Sequence, residues 1–310
     1  MNFSSMEYFT VLARERSFTR AAEQLHITQQ SLSAHIAGME QELGCPLVVR
    51  RIPLELTYAG SVLLRYAEDF QQSYIAMQRE FSDISGNQKG LMRVGVAPTR
   101  GRALLPDAIS RFQQSYPNIT VELAEASNGK LHQMLRNGGL DIAIADFPDA
   151  MPGIVLQDFY QENVVLLIGE TLFQSVYGPF AEGVAHQFME GDFSRLQSCP
   201  LVMGTLDDID GRIGYDLLDR AGIHAPVIRS VSHNVGLLLM LCLRGIGACF
   251  CPENLARAML SEADFGKLLR FSLGDATMYT IRFGYRRQSY QWSVLSAFMA
   301  IAGEICNGQN

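Results

Sequence analysis

Residues 20–43 read Arg20-Ala-Ala-Glu-Gln-Leu-His-Ile-Thr-Gln-Gln-Ser-Leu-Ser-Ala-His-Ile-Ala-Gly-Met-Glu-Gln-Glu-Leu43. Two short helices joined by a tight turn account for this stretch. Thr19 stands where an N-cap belongs, followed by Ala21, Ala22 and Leu25 as a first apolar set. Thr28 is a second N-cap. Leu32, Ile36, Met39 and Leu43 then recur at spacings of four, three and four, which is one face of a single helix.

The opposite face decides the reading. At roughly 100° per residue, Gln30, Ser33, Ala34, Ala37 and Gln41 point away from the apolar stripe, with Gln29 on its flank. An ordinary solvated face carries Lys and Glu; this one is small, uncharged and rich in groups that both donate and accept hydrogen bonds. A helix that enters a DNA major groove needs that slimness and those groups. The alternative is a plain amphipathic hairpin in a core, and the pattern by itself leaves it open.

Residues 1–60 also resemble the N-terminal winged helix-turn-helix of LysR-type transcriptional regulators. The resemblance rests on Phe9, the run from Phe18-Thr19-Arg20-Ala21-Ala22-Glu23-Gln24-Leu25 through Thr28-Gln29-Gln30-Ser31-Leu32-Ser33, then Ile36, Met39-Glu40, Leu43-Gly44, Leu47, Leu56-Thr57 and Ala59-Gly60. Gln30 stands where the family often has Pro, Ala34 where Arg is frequent and Val48 where Phe is usual. The missing Arg at 34 removes a base or phosphate contact, so an operator sequence does not transfer from relatives. For the rest of the chain the resemblance implies a two-lobed effector domain akin to periplasmic binding proteins, and homodimers that pair into tetramers. Promoter DNA, a small-molecule effector and RNA polymerase are its implied partners.

The chain has 310 residues, 48% apolar, with a net charge of −7. That length suggests about two domains, and that charge argues against bulk electrostatic binding to nucleic acid. The first 57 residues hold five Arg (14, 16, 20, 50, 51) against six Glu (7, 15, 23, 40, 42, 55). Phosphate contacts act locally, within a Debye length of roughly 8–10 Å, so the placement of Arg20 and of the Arg50-Arg51 pair matters more than the total. No segment reads as a secretory signal or a membrane span. The six Cys (45, 199, 242, 249, 251, 306) have no framework spacing and mostly sit in apolar runs, which suits free thiols in a reducing cytoplasm.

Before the motif, Asn2 to Arg16 form a helix with Phe3, Met6, Phe9, Leu12 and Ala13 inward. After it, Leu47–Arg50 and Leu54–Leu56 read as two short strands around a tip at Arg51-Ile52-Pro53, a wing whose arginines suit phosphate or a narrow minor groove. The DNA-binding candidates are therefore Arg20, Thr28, Gln29, Gln30, Ser33, Ala34, Arg50 and Arg51. Thr57 caps a long helix with Leu63, Ala67, Phe70, Tyr74, Met77, Phe81 and Ile84 in alternating fours and threes. A seam this regular predicts a two-helix coiled coil between copies; packing within one chain is the alternative. Ser85-Gly86-Asn87-Gln88-Lys89-Gly90 reads as polar and uncapped.

Beyond it strands and helices alternate, predicting a mostly parallel sheet with crossover helices. Strands are expected at 91–97, 119–126, 141–145, 164–168, 200–203, 227–231, 246–250 and 279–285, and a last helix at 290–305. The expected layout is an all-α winged helix-turn-helix at 1–57, a linker helix at 58–85, a hinge at 86–90 and a two-lobed α/β effector domain at 91–310. Lobe I takes 91–160 and 266–310; lobe II takes 161–265. The chain crosses between them near Gln161 and Phe265. The stretch from Thr171 to Gln197 fits no pattern in this scheme.

Ligands of such sheets gather where strand C-termini meet helix N-termini, because free N–H groups and the helix dipole favour anions. Thr99, Arg100, Ser127, Asp146, Thr205 and His233 occupy such places. Thr99 also matches a frequent ligand-contacting position in the family. Each hydroxyl is equally readable as a plain helix cap. Arg100, with Arg102, suits a carboxylate, and Asp146 suits an ammonium or simply an arginine nearby, so the effector is expected to be anionic or zwitterionic. Cys249 and Cys251 point to one side of a strand, without a neighbouring His or Cys in sequence to complete a metal site. No cofactor is implied.

Two functions compete: an effector-responsive transcription factor, and a solute-binding protein or enzyme of the same two-lobed fold. Gly-x-Ser-x-Gly, His-Glu-x-x-His and phosphate-loop motifs are missing from the sequence, and no residue is nominated as catalytic. A redox-sensing regulator of the same fold is a minor variant of the first reading.

Overall fold

The computed structural model describes residues 2–86, 88–288 and 290–308. Backbone contacts divide the chain into two units, one of residues 1–87 with 288–292 and one of residues 88–287 with 293–310. Asn87, in the expected hinge, lies outside the described residues, as do Met1 and the last two residues of the expected effector domain.

The first unit has helices α1 (Phe3–Glu15), α2 (Phe18–Gln24) and α3 (Gln29–Leu43), strands β1 (Val48–Val49) and β2 (Glu55–Leu56), and the long helix α4 (Tyr58–Ile84). Asn2 caps α1, its side chain accepting from the Ser5 amide at 2.9 Å. The cap of α2 is Ser17, not Thr19. The helix begins two residues earlier than expected, with Phe18 as its first residue, and the Thr19 hydroxyl donates instead to Gln29 Oε1 at 3.4 Å. Thr28 caps α3 and Gly44, at φ 69°, ends it. Phe9, Leu12, Ala21, Ala22, Leu32, Ile36, Met39, Leu47, Leu54 and Leu63 form one buried core.

The wing is held against the start of α4. The Thr57 hydroxyl donates to Pro46 O at 2.7 Å and accepts from the Gly60 amide at 3.0 Å, while the Thr57 amide donates to Leu47 O. A Cβ on Gly60 would fall 2.0 Å from Leu47 O, so the helix approaches β1 as closely as only glycine permits. Tyr290 and Trp292 pack on the far end of α4: the Tyr290 hydroxyl donates to Asp83 Oδ2, and the Arg79 guanidinium sits 4.4 Å from the Trp292 ring centroid. The expected 91–310 domain therefore gives up this segment, and its last helix starts after it.

In the second unit, β3 (Gly90–Val96), β4 (Ile119–Glu125) and β5 (Ile142–Ala145) are parallel, with α5 (Pro98–Ser115) and α6 (Asn128–Arg136) as crossovers. The sheet is mixed, because β6 (Ile154–Gly169) and β11 (Met278–Arg286) join it antiparallel. The chain closes with α13 (Ser293–Gly308). Strand β6 is ten residues longer at its start than the expected 164–168. Its first half pairs with β11 and its second half with β10 (Leu268–Ser272) and β9 (Cys249–Pro252), so one strand serves both lobes.

Lobe II is completed by α7 (Glu170–Tyr177), α8 (Ala181–Met189), the parallel pair β7 (Leu201–Met203) and β8 (Ile228–Val231), and α9 (Ile209–Arg220). Helices α10 (Val235–Leu243), α11 (Glu253–Met259) and α12 (Glu262–Phe265) follow the same lobe's strands. Residues 268–272, expected in lobe I, belong here, since Leu268 and Phe271 are buried in lobe II cores. The second crossing is therefore the turn at 273–277 rather than near Phe265. The strand expected at 246–250 sits at 249–252, after the Gly245–Gly247 turn. Thr171–Gln197 is a helical cover: Phe173, Tyr177, Val184, Phe188, Phe193 and Leu196 pack on Phe250 and Phe271 in one core.

Replacing Gly60 by Ala is expected to lower the stability of the N-terminal unit by about 1–3 kcal/mol, since the added methyl meets backbone that has nowhere to move. Chemical denaturation of wild type and variant measures this, and equal midpoints would refute the tight approach.

Candidate DNA-reading surface and effector cleft

On α3, Gln29, Gln30, Ala34, Ala37 and Gln41 are exposed and Ser33 is half-buried, while Leu32, Ile36 and Met39 are buried. The uncharged strip thus faces solvent along most of the helix. Thr28 is used as the cap of α3, accepting from the Ser31 amide at 3.1 Å. The three arginine candidates are exposed but engaged. Arg20 Nε is 3.3 Å from Glu15 Oε2, Arg50 Nη2 is 3.7 Å from Glu40 Oε2, and Arg51 pairs with Glu55. Exposed pairs of this kind are worth little, so they yield readily to phosphate.

The seam of α4 splits in two. Leu63 and Ala67 are buried within their own unit, Leu63 in the core under the wing, and are corrected from dimer contacts to core residues. Phe70, Tyr74 and Met77 are 42–45% exposed, Phe81 64% and Ile84 75%. Phe3 adds to this surface, its ring 4.5 Å from Phe70 and 5.1 Å from Tyr74, so it faces α4 rather than the α1 core side.

The effector candidates fall into three groups. Thr99, at the second position of α5, is buried and its hydroxyl accepts from the Gly236 amide at the start of α10 at 3.1 Å, joining lobe I to lobe II. The Thr205 hydroxyl donates to Asp208 Oδ2 at 2.9 Å, and His233 Nδ1 is 2.8 Å from both Thr205 Oγ1 and Asp208 Oδ2. Asp146 is 3.6 Å from Arg212 of α9, a second link between lobes, and its carbonyl accepts from His132 Nε2. Ser127 is the N-cap residue of α6 without a side-chain cap bond.

Arg100 departs from expectation. Its guanidinium is buried and satisfied mainly by Glu162, Nε donating to Oε1 at 3.0 Å and Nη2 to Oε2 at 2.9 Å. The Tyr160 hydroxyl donates to Glu162 Oε1 at 2.5 Å and that of Tyr279 donates to Oε2. Burial by itself would raise the Glu162 carboxyl; the Arg100 guanidinium and the two hydroxyls outweigh it and hold it below the usual carboxylate range. Most of Arg100 is thus a structural cation, and only Nη1 is without a protein hydrogen bond among the described residues.

Glu162, Asp208 and Asp210 were not singled out in the sequence. A carboxylate two residues before the apolar run Val164–Ile168 is a signal that could have found Glu162; the two aspartates read as ordinary acids at the start of α9. Asp210 is 6% exposed, and burial, with Asp208 nearby, pushes its carboxyl up to about 7. Cys249 and Cys251 do face one side, into a core with Cys242. A hydrogen bond to Cys242 and burial push the Cys249 thiol up, and burial does the same for Cys251 and lifts Cys199 to about 12. Buried neutral thiols of this kind are poor ligands and nucleophiles.

A winged helix-turn-helix followed by a two-lobed α/β domain defines a class of ligand-responsive DNA-binding regulators. Residues 3–61 match the family described as bacterial regulatory helix-turn-helix protein, lysR family, and residues 85–307 match the LysR substrate binding domain. The chain belongs to the LysR family of DNA-binding transcriptional regulators.

It is 28% identical to the uncharacterized HTH-type transcriptional regulator YcgK of Bacillus subtilis (strain 168), over 98% of this chain and 94% of that one. It is 31% identical to the DNA-binding transcriptional dual regulator OxyR of Escherichia coli (strain K12), over 55% of this chain and 56% of that one. Among solved structures, full-length CbnR in complex with its target DNA has a TM-score of 0.60 at 21% identity, covering 97% of this chain and 99% of that chain. Full-length OxyR of Pseudomonas aeruginosa has a TM-score of 0.65 at 18% identity, covering 98% and 94%. These two likenesses establish the fold. Among the described residues no helix is long and apolar enough to cross a membrane, and no group of three or more His, Cys, Asp or Glu side chains is placed to hold a metal ion.

Asp210 has a raised pKa, so its contribution to stability is fully present below the unfolded value of 3.8 and is lost as pH rises through about 7. Asp210→Asn is therefore expected to stabilise the protein at about pH 8 by at most about 4 kcal/mol, the gap closing towards about pH 4. Denaturant midpoints across that range test it. A gap that does not change with pH would place the ionisation elsewhere.

Proposed function

We propose that this protein regulates transcription in the cytoplasm by reading operator DNA with α3 and the wing, under the control of a small anionic or zwitterionic effector held between its two lobes. The observation that carries the reading is the exposed uncharged strip Gln29, Gln30, Ala34, Ala37 and Gln41, set opposite the buried Leu32, Ile36 and Met39, while Leu43 at the end of the stripe is exposed. Gln side chains pair bidentately with base edges, and small neighbours let the helix enter the groove.

In this reading the exposed part of α4, from Phe70 to Ile84, pairs two copies and so presents two recognition helices to two half-sites. Pairing of dimers into tetramers and contact with RNA polymerase are further parts of the proposal, supported by family membership alone. Effector binding closes the lobes, and the change reaches the first unit through the chain at 85–90 and through 288–292, whose Tyr290 and Trp292 hold Asp83 and Arg79 of α4. A coupling of order 1–3 kcal/mol changes DNA affinity about 5- to 150-fold. The thiols favour no redox variant, since five of the six are buried.

Gln29→Ala or Ser33→Ala is expected to weaken binding to the cognate site about 5- to 150-fold, that is by about 1–3 kcal/mol, with binding to random DNA unchanged. Selection of genomic fragments by the purified protein, followed by gel shifts with both variants, tests this; equal loss on both DNAs would show that α3 does not read bases. Phe81→Asp is expected to convert dimers to folded monomers in sedimentation, because the charge falls in an apolar seam. A variant that sediments as wild type would move the interface elsewhere.

A further inference from the structure

The helical cover of lobe II holds a solvent-open cavity of about 530 Å³. None of the effector candidates Thr99, Arg100, Ser127, Asp146, Thr205 and His233 borders it. Its volume lies within the range of small-molecule pockets, roughly 300–1,000 Å³. The walls come from the end of α7, the turn Gly178–Phe180, α8 and the residues before β7. Val176, Pro179, Phe180 and Val184 make their apolar part, and Phe180 is 75% exposed.

Two features of the wall have no use in the fold. Gly183 sits inside α8, where glycine is a poorer helix former than alanine. Its φ is not positive, and a Cβ there would meet nothing within 4 Å, so neither the backbone nor packing asks for glycine. What the missing side chain does is keep the cavity wide. The second feature is Arg195. It is exposed, it carries the only charge in the described lining, and its guanidinium has no ion pair or hydrogen bond among the described residues. Its backbone is nevertheless fixed, because the buried Tyr177 donates its hydroxyl to the Arg195 carbonyl at 3.0 Å. Asp192, an acid that feels this charge, accepts from the Ser194 amide at 3.0 Å. Gln187 and Ser198 add an amide and a hydroxyl to the same wall.

We propose that this cavity is a second small-molecule site, for a monocarboxylic acid with a planar apolar body. The carboxylate meets the Arg195 guanidinium, whose fork suits two parallel hydrogen bonds, with Ser198 and Gln187 as further donors. The body lies along Val176, Val184 and the Phe180 ring, over the gap that Gly183 leaves. The described lining offers no second cation for a dicarboxylate and no acid for an ammonium. The site is separate from the lobe junction, and its occupant braces α7, the helix that continues β6 without a break.

Para-fluorophenylacetate serves as the probe on the full-length protein, followed by fluorine NMR, with the neutral para-fluorophenylacetamide beside it. The acid is expected to bind the wild type at least about fivefold more tightly than the amide. Arg195→Gln should remove that preference and leave binding of the amide as it was. Gly183→Leu should weaken both compounds at least about tenfold, because the new side chain fills the space they need. Leucine suits a helix, and its first carbon meets nothing within 4 Å, so this variant is expected to fold. If it does not, the two probes on Arg195→Gln still decide. Binding that survives Gly183→Leu unchanged puts the probe elsewhere, the lobe junction included. An acid no tighter than its amide, or a preference that persists in Arg195→Gln, denies the arginine its role. Either result, or a wild type that binds neither compound, overturns the proposal.

Discussion

The ion pair between Arg100 and Glu162 is the constraint on which the effector domain depends. Glu162 lies near the middle of β6, one residue before the point where that strand leaves the lobe I sheet for lobe II, and Arg100 stands in the first turn of α5. Two charges taken out of water cost several kcal/mol each unless geometry and further hydrogen bonds compensate. Here the pair is bidentate, and two tyrosine hydroxyls, one from each of the strands β6 and β11, satisfy what remains. Removing either partner would strand the other in a dry interior, which measurements elsewhere put at about 3–5 kcal/mol. The pair therefore fixes the start of α5, and with it Thr99, against the junction of the lobes.

From that fixed point the arrangement of the cleft follows. Thr99 reaches the start of α10, Arg212 of α9 reaches Asp146 at the end of β5, and Thr205, Asp208 and His233 form a third polar cluster on lobe II. These polar links between the lobes involve the ends of helices and strands. Contacts of that sort exchange easily for contacts to a ligand. The apolar cores of the two lobes lie elsewhere, under α7 and α8 on one side and against α6 on another, and take no part in such an exchange.

Much of the fold was legible because periodicity is set by geometry. Leu32, Ile36 and Met39 could face only one way, so the exposed strip opposite them followed. The same property misled on α4. A stripe at spacings of four and three says which face is apolar, not what covers it, and Leu63 and Ala67 are covered by their own unit while Phe81 and Ile84 are not. Ser17 outranked Thr19 as a cap because Phe18 already belongs to the helix. The first half of β6 was missed since Gln157, Asp158, Gln161 and Glu162 look like loop; they are edge-facing or paired inside an antiparallel ladder with β11 that no local pattern announces. The site was legible one hydroxyl at a time. That Thr205 meets His233, or that Arg100 is consumed by Glu162, depends on segments 28 and 62 residues apart in the chain.

Strand β6 has a mechanical consequence. Sixteen residues of continuous backbone form the spine of both lobes, paired with β11 along its first half and with β9 and β10 along its second. Such a spine resists stretching and bending but yields to torsion, since twist about the strand axis is the soft coordinate of an extended ribbon. The two lobes thereby share one axle, like two vanes on one shaft, and turning about it is the motion their common strand opposes least.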